Sequence, residues 1–266
     1  MYCDTHIHTS FSFDSDADPR SVAEQAVKLG IPRICITDHQ DYLYPSDEQP
    51  WLIDLDRYFA KLEQLRAEFE GRLQIDTGVE MGCQAELDSQ ILALIGQYPF
   101  DFVIGSTHFA GGLDPYDHEY FEGRSKAEAL GAFFERILEN LNSIDDIDTL
   151  GHIDYVTRYG KEFPGEYRWE LYRDCFAAIF HGIIARDICL EVNTAGYAAG
   201  LGRPNPGPEL LKFYRDLGGK LITIGSDAHE PGALARQFDI TGSMLKSLGF
   251  TEYMVFKDRV PQALPL

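Results

Sequence analysis

No apolar run in the 266-residue chain approaches the about 18 residues needed to cross a bilayer, so no membrane span is expected. Positive charge is scarce: 23 Lys and Arg stand against 43 Asp and Glu, a formal net charge of −20. A basic footprint for nucleic acid or an anionic membrane is therefore missing. The N-terminal MYCDTHIH lacks a charged-then-apolar leader, so no secretory signal is expected. Cysteine pairing is lacking too. Cys3, Cys35, Cys83, Cys175 and Cys189 are odd in number, far apart and without a C-x-x-C pair. They read as thiols in a reducing cytoplasm. Several chemistries also fail for want of residues. There is no G-x-S-x-G elbow, P-loop or cysteine-x5-arginine phosphatase loop. The run beginning at Asp14 resembles a calcium loop at first, but Pro19 and Gln25 stand where glycine and glutamate are required. Gly200-x-Gly202 lacks the third glycine of a dinucleotide fingerprint.

What is present is an alternation. Short β-branched runs at 1–5, 33–37, 74–80, 100–106, 149–152, 188–193 and 220–226 are separated by helix-period segments, with a late apolar run at 253–256. Phe133, Phe134, Ile137, Leu138 and Leu141 form one apolar stripe, and Tyr58, Phe59, Leu62, Leu65 and Phe69 another. Such alternation implies a mostly parallel α/β sheet. Seven or eight units in this length favour a closed barrel in a single domain, 1–266, since no linker divides the chain.

Histidines are the most informative residues. Six of the eight fall where strand candidates end: His6 and His8 in DTHIH, His39 in TDH, His108 in GSTH, His152 in GHID and His229 in SDAH. In a parallel barrel those ends converge on one mouth. His6 and His8 are two apart on a strand, so their rings share a side. With Glu80, Asp227 and Asp14 they supply about nine nitrogen and oxygen donors, enough for two or three Zn, Fe or Mn ions at about three or four protein ligands each. Asp16 competes with Asp14 for the same role. Asp38 and Asp154, beside ligands, are candidates to orient them. His118 and His181 lack this context and are read as structural or exposed.

These motifs, D-x-H-x-H, T-D-H, G-x-E, S-x-H, G-H-x-D and S-D-A-H, resemble in order those of the polymerase-and-histidinol-phosphatase (PHP) superfamily of metal-dependent phosphoesterases. The phrases DFVIGSTH, GHIDYVTRYG, EVNTAG and LGGKLITIGSDAH are most like its histidinol-phosphate phosphatases. The resemblance implies a distorted seven-stranded (β/α) TIM-like barrel with a trinuclear centre. One ion would take His6, His8, Glu80 and Asp227; a second Glu80, His108 and His152; a third His39, His229 and Asp14. It implies hydrolysis of the small-molecule phosphomonoester L-histidinol phosphate by a hydroxide bridging the metals, with Arg158 as the phosphate clamp, Arg203 as a weaker phosphate contact, and His39 or Asp14 holding the water that protonates the leaving group. Three divalent ions bring about +6 and offset the chain's negative charge at the mouth. Asp41, Tyr42, Tyr44 and Trp51 are candidates for the imidazole and ammonium ends. Rival readings are a PHP phosphoesterase acting on nucleotides or other phosphomonoesters, an amidohydrolase, and a metal-binding regulator without turnover. The oligomeric state is not legible.

Overall fold

The computed structural model describes residues 2–42 and 51–266. Its helices start and stop where local chemistry dictates. Helix α1 (Pro19–Leu29) has Asp18 accepting from the Ser21 amide, Pro19 in the first turn and a left-handed Gly30 after the last residue. Helix α3 (Lys126–Ser143) opens with a reciprocal capping box between Ser125 and Glu128. Its buried face is Phe133, Phe134, Ile137 and Leu141. The other stripe seats α2 (Leu55–Glu68), with Tyr58, Leu62 and Leu65 buried.

Between helices run β1 (Arg33–Ile36), β2 (His39–Gln40), β3 (Gln74–Gly82), β4 (Phe102–Ser106), β5 (Thr149–Leu150), β6 (Cys189–Asn193) and β7 (Ile222–Gly225). Among the described residues they form one seven-stranded curled sheet in the order β1-β3-β4-β5-β6-β7, with β2 also on β3, and every pairing is parallel. The seven strands differ from those expected. The N-terminal run is no regular strand: it makes single bridges, Asp4 to Ile34 and Ile7 to Ala228. Residues 4–8 still bond both ways. The Cys35 and Thr37 amides donate to Asp4 and Ile7, while Asp227 N donates to His6 O and His8 N to Ala228 O. The seventh strand is instead the two-residue β2, too short to leave a periodic signal.

A second sheet is the antiparallel hairpin β8 (Glu252–Lys257) and β9 (Val260–Pro265). Its turn residues, Asp258 and Arg259, both have positive φ, the geometry of a two-residue I′ turn. Met254 and Phe256 pack with Cys35, Phe102, Ile104 and Cys189 in a small buried cluster. The expected run at 253–256 is thus half of a hairpin at the amino-terminal ends of the strands. No helix among the described residues is long and apolar enough to cross a membrane.

Candidate metal centre

Parallel pairing puts every strand's carboxyl end on one side, and the nine expected ligands meet there. Glu80, fully buried on β3, is the hub. Its Oε2 lies 3.1 Å from His6 Nε2, 3.3 Å from His8 Nε2 and 3.1 Å from His39 Nδ1. Its Oε1 lies 2.8 Å from His152 Nε2 and 3.2 Å from His108 Nε2. Asp227 Oδ1 is 3.3 Å from His8 Nε2. Asp14 Oδ2 is 2.9 Å from His229 Nε2 and 3.6 Å from His39 Nε2. Asp227 has φ 55°, a left-handed conformation that an aspartate tolerates better than most residues and that is held at functional sites. Asp16 is exposed and joins none of the donor groups.

Hydrogen bonds assign the imidazole tautomers. His6 Nδ1 donates to Glu191 at 2.5 Å, His108 Nδ1 to Asp41 at 3.0 Å and His229 Nδ1 to the Asp227 carbonyl at 3.0 Å. His8 Nδ1 donates to Ser12 Oγ, whose own proton goes to Asp38. Each neutral ring then turns an Nε2 lone pair toward a carboxylate. His6 and His8 even set these lone pairs 3.0 Å from each other. Acceptors facing acceptors repel unless a proton or a metal ion lies between them. Glu80 Oε2, Asp41 Oδ2 and His39 Nδ1 are buried without a hydrogen-bond partner. Donor groups within reach of one ion include His6, His8 and Glu80; Glu80, His108 and His152; and His8, Asp14, His39 and His229. The residues therefore fit several divalent ions, and zinc, iron and manganese all accept such donors.

The same crowding sets the charges without metal. Burial pulls the imidazoles down, but carboxylates override it at four of them, His229 among them through Asp14 and Asp227. Glu191, Glu80 and Asp227 raise His6 well above the ordinary histidine value, Glu80 and Asp14 do so for His39, and Asp41 and Glu80 push His108 up to about 10. His8 goes the other way, down to about 3, through burial and the charges of His229 and His39. Burial would raise Glu80 and Asp227. The cations around them, His6 foremost, hold both well below the carboxylate range.

Arg158 lies on a short turn, Tyr155–Arg158, beyond His152. Its Nε donates to Asn205 Oδ1, Nη1 to Asp227 Oδ2 and Nη2 to Asn193 Oδ1, at 2.9–3.1 Å. With Asp14, Glu80, Asp227 and four of the histidines it lines a cavity of about 460 Å³. Arg203 is not in that lining; it donates to Asp154 Oδ2 at 2.8 Å. Asp154 also accepts from Asn205 and so braces the Arg158 loop rather than a histidine. Asp38 supports His8 through Ser12. Asp41, expected at the substrate end, is buried against His108 and His39 instead. Trp51 does line the cavity, stacked on Phe13 at 4.6 Å. Tyr42 is half-buried and outside the lining, and Tyr44 lies outside the described residues. Sequence reasoning gave no role to Glu191, Asn193 or Asn205. The phrase EVNTAG was the only signal for the first two.

A curled parallel sheet with a multi-donor imidazole–carboxylate cluster at its carboxyl ends defines a metal-dependent hydrolase of the phosphoesterase kind. The model of the PHP domain matches residues 4–195, and the chain belongs to that family. It is similar to the histidinol-phosphatase of Lactococcus lactis subsp. lactis, with 31% identity over 95% of this chain and 93% of the relative. It is also 33% identical to a probable histidinol-phosphatase of Clostridium acetobutylicum over 90% of each chain. The crystal structure of the Lactococcus lactis histidinol phosphate phosphatase, complexed with zinc, L-histidinol and phosphate, superposes with a TM-score of 0.91 at 30% identity over 98% of both chains.

Proposed function

We propose that the chain hydrolyses L-histidinol phosphate to L-histidinol and phosphate, as a metal-dependent enzyme of histidine biosynthesis. The observation that carries this reading is the cluster around Glu80, in a chain that superposes along its length on an enzyme crystallised with zinc, L-histidinol and phosphate. The finer reading of the fold, a distorted barrel in one domain, goes with it and is supported by residues 4–8, which bond to both β1 and the end of β7. A cytoplasmic site of action accords with five unpaired thiols.

In this reading His6, His8, Glu80 and Asp227 hold one ion, Glu80, His108 and His152 a second, and Asp14, His39 and His229 a third, with Asp41 available beside His39 and His108. Bound ions would supply Lewis-acid charge for a phosphate dianion and lower the pKa of water toward about 7. The protein's own parts do the rest. Arg158, held by three acceptors, keeps further N–H groups for phosphate oxygens, and its fork matches them in pairs. The buried walls exclude bulk water from the reacting phosphorus, which strengthens each charge interaction there. His39 and Asp14, at the more open edge of the cluster, stand where a proton can pass to the departing alcohol. Arg203 serves through Asp154 and Asn205 as a brace for Arg158.

The test is phosphate release from a panel of esters. Histidinol phosphate is expected to exceed generic phosphomonoesters and nucleotides by orders of magnitude in kcat/KM. Chelation abolishes turnover and added zinc, manganese or iron restores it, and Arg158→Ala loses about 10²-fold. Equal turnover of nucleotides, or full activity in chelator, overturns the reading.

A further inference from the structure

Strands β2, β3, β4, β5 and β7 carry or lead into His39, Glu80, His108, His152 and Asp227. Strand β6 alone among these neighbours delivers no candidate ligand. It ends in Glu191 and Asn193, two apart and so on one side of the sheet, and both are buried. Glu191 divides its oxygens. Oε1 meets His6 Nδ1 at 2.5 Å, while Oε2 accepts the His152 amide at 2.8 Å and Asn193 Nδ2 at 3.2 Å. Asn193 Nδ2 also approaches Asp227 Oδ2 at 3.3 Å, and its Oδ1 accepts from Arg158 Nη2 and from the Ala195 amide, both at 3.0 Å. The neighbouring strand leaves room for this. A Cβ on Gly225 would stand 2.3 Å from His6 Cβ and 2.7 Å from Glu191 Oε1.

We propose that Glu191 and Asn193 are positioning residues that bind the metal centre and the phosphate clamp into one frame. Glu191 fixes His6 in the Nδ1–H tautomer, so that Nε2 faces the cluster. Asn193 ties that carboxylate to Asp227 and to Arg158. The inference rests on the metal and phosphate roles given above. A carboxylate behind a ligating imidazole sets its orientation and raises its basicity, and loss of such a partner weakens metal affinity about 10–100-fold. Glutamine at 191 has a single accepting oxygen: kept on the His152 amide and Asn193, it leaves only an NH2 toward His6 Nδ1–H, so the charged acceptor behind that ring is lost while the His152 contact survives.

Zinc affinity is read by competition with a chromogenic chelator. Glu191→Gln is expected to weaken zinc binding about 10–100-fold. In a His6→Ala background the same change is expected to add nothing, because Glu191 acts through that ring. Wild-type affinity in the single variant overturns the proposal, and so does a further full loss in the double variant, which would make Glu191 an independent ligand. Nitrogen NMR of the zinc-loaded wild type decides without any variant: His6 is expected to carry its proton on Nδ1, and coordination through Nδ1 sinks the idea. Asn193→Ala is expected to weaken inhibition by inorganic phosphate about tenfold, the scale of one lost hydrogen bond to a charge, with a smaller loss of zinc affinity than Glu191→Gln. Unchanged phosphate inhibition overturns the Asn193 half. A wild type that binds no zinc would instead remove the metal reading itself.

Discussion

The two ends of the sheet solve opposite electrostatic problems. At the amino-terminal end each buried acid has a permanent cation. Arg33 pairs with Asp76, Arg66 and Lys257 with Asp101, and Arg259 with Asp148. The hairpin β8–β9 supplies two of these cations and offers the Phe256 carbonyl to Arg33. At the carboxyl-terminal end Asp14, Asp41, Glu80, Glu191 and Asp227 face imidazoles, and Arg158 is the one guanidinium bound to them among the described residues. An arginine brings its proton into the fold. An imidazole whose Nδ1–H is already committed compensates its carboxylate partner only by taking a second proton on Nε2, and a metal ion can displace that proton. The first end is built to be satisfied on folding and the second to be satisfied on binding. Proton linkage follows: imidazoles held charged without metal must release protons when it binds.

The comparison breaks hardest at Glu80. Glu80→Gln removes the one carboxylate shared by two donor groups. Phosphate release is expected to fall by about 10³-fold or more, with fewer ions retained in elemental analysis. Stability without metal is expected to change far less, because the mouth is not what holds the fold. A variant that keeps both its metal and its turnover would show that the hub is elsewhere.

Much of the mouth was legible because strand alternation and strand-end position are both sequence-local. His6 and His8 needed only a period of two, and His39, His108, His152 and His229 each followed a β-branched run. Asp14 was preferred to Asp16 and is the one that reaches His229. What stayed hidden depends on packing across strands. Glu191 sits in CLEVN, where an acid alternating with apolar residues reads as an ordinary strand position. Only the pairing of β6 with β7, opened by Gly225, brings it to His6. Asp41 looked like a loop acid because nothing local reveals that Gly82 leaves space for it: a Cβ there would fall 1.6 Å from Asp41 Oδ1. The hairpin was half seen. Strand β9, VPQALP, carries two prolines and an exposed face, so it gives no strand signal, and two prolines on an edge also discourage further pairing.

The base tests the other side of the contrast. Arg259→Gln leaves Asp148 buried with no cation. Stability is expected to drop by about 1–3 kcal/mol, the cost of leaving such a group unpaired, read from denaturant midpoints of the metal-loaded protein. At temperatures where the variant is folded, kcat and KM for histidinol phosphate are expected to match wild type, because Arg259 lies at the opposite end of the sheet. A kcat loss comparable to that of Glu80→Gln would show that the two ends are not independent.

A further effect, confined to a narrow range of conditions, is one of pH. Burial raises Asp148 to about 6 from the ordinary aspartate value of 3.8, against the pull of Arg259 and the Val103 amide. The folded chain therefore binds this proton more tightly than the unfolded chain. The stabilisation it confers is complete below about pH 4 and is lost as pH rises through about 6. Stability plotted between those limits should carry a downward contribution of about 1–3 kcal/mol from this group. Asp148→Asn removes the titration, so wild-type stability minus variant stability is expected to fall by that amount across the window, and the two curves to run parallel above it. Curves parallel throughout would mean that Arg259 neutralises Asp148 fully, and that the base is satisfied at every pH where the protein folds.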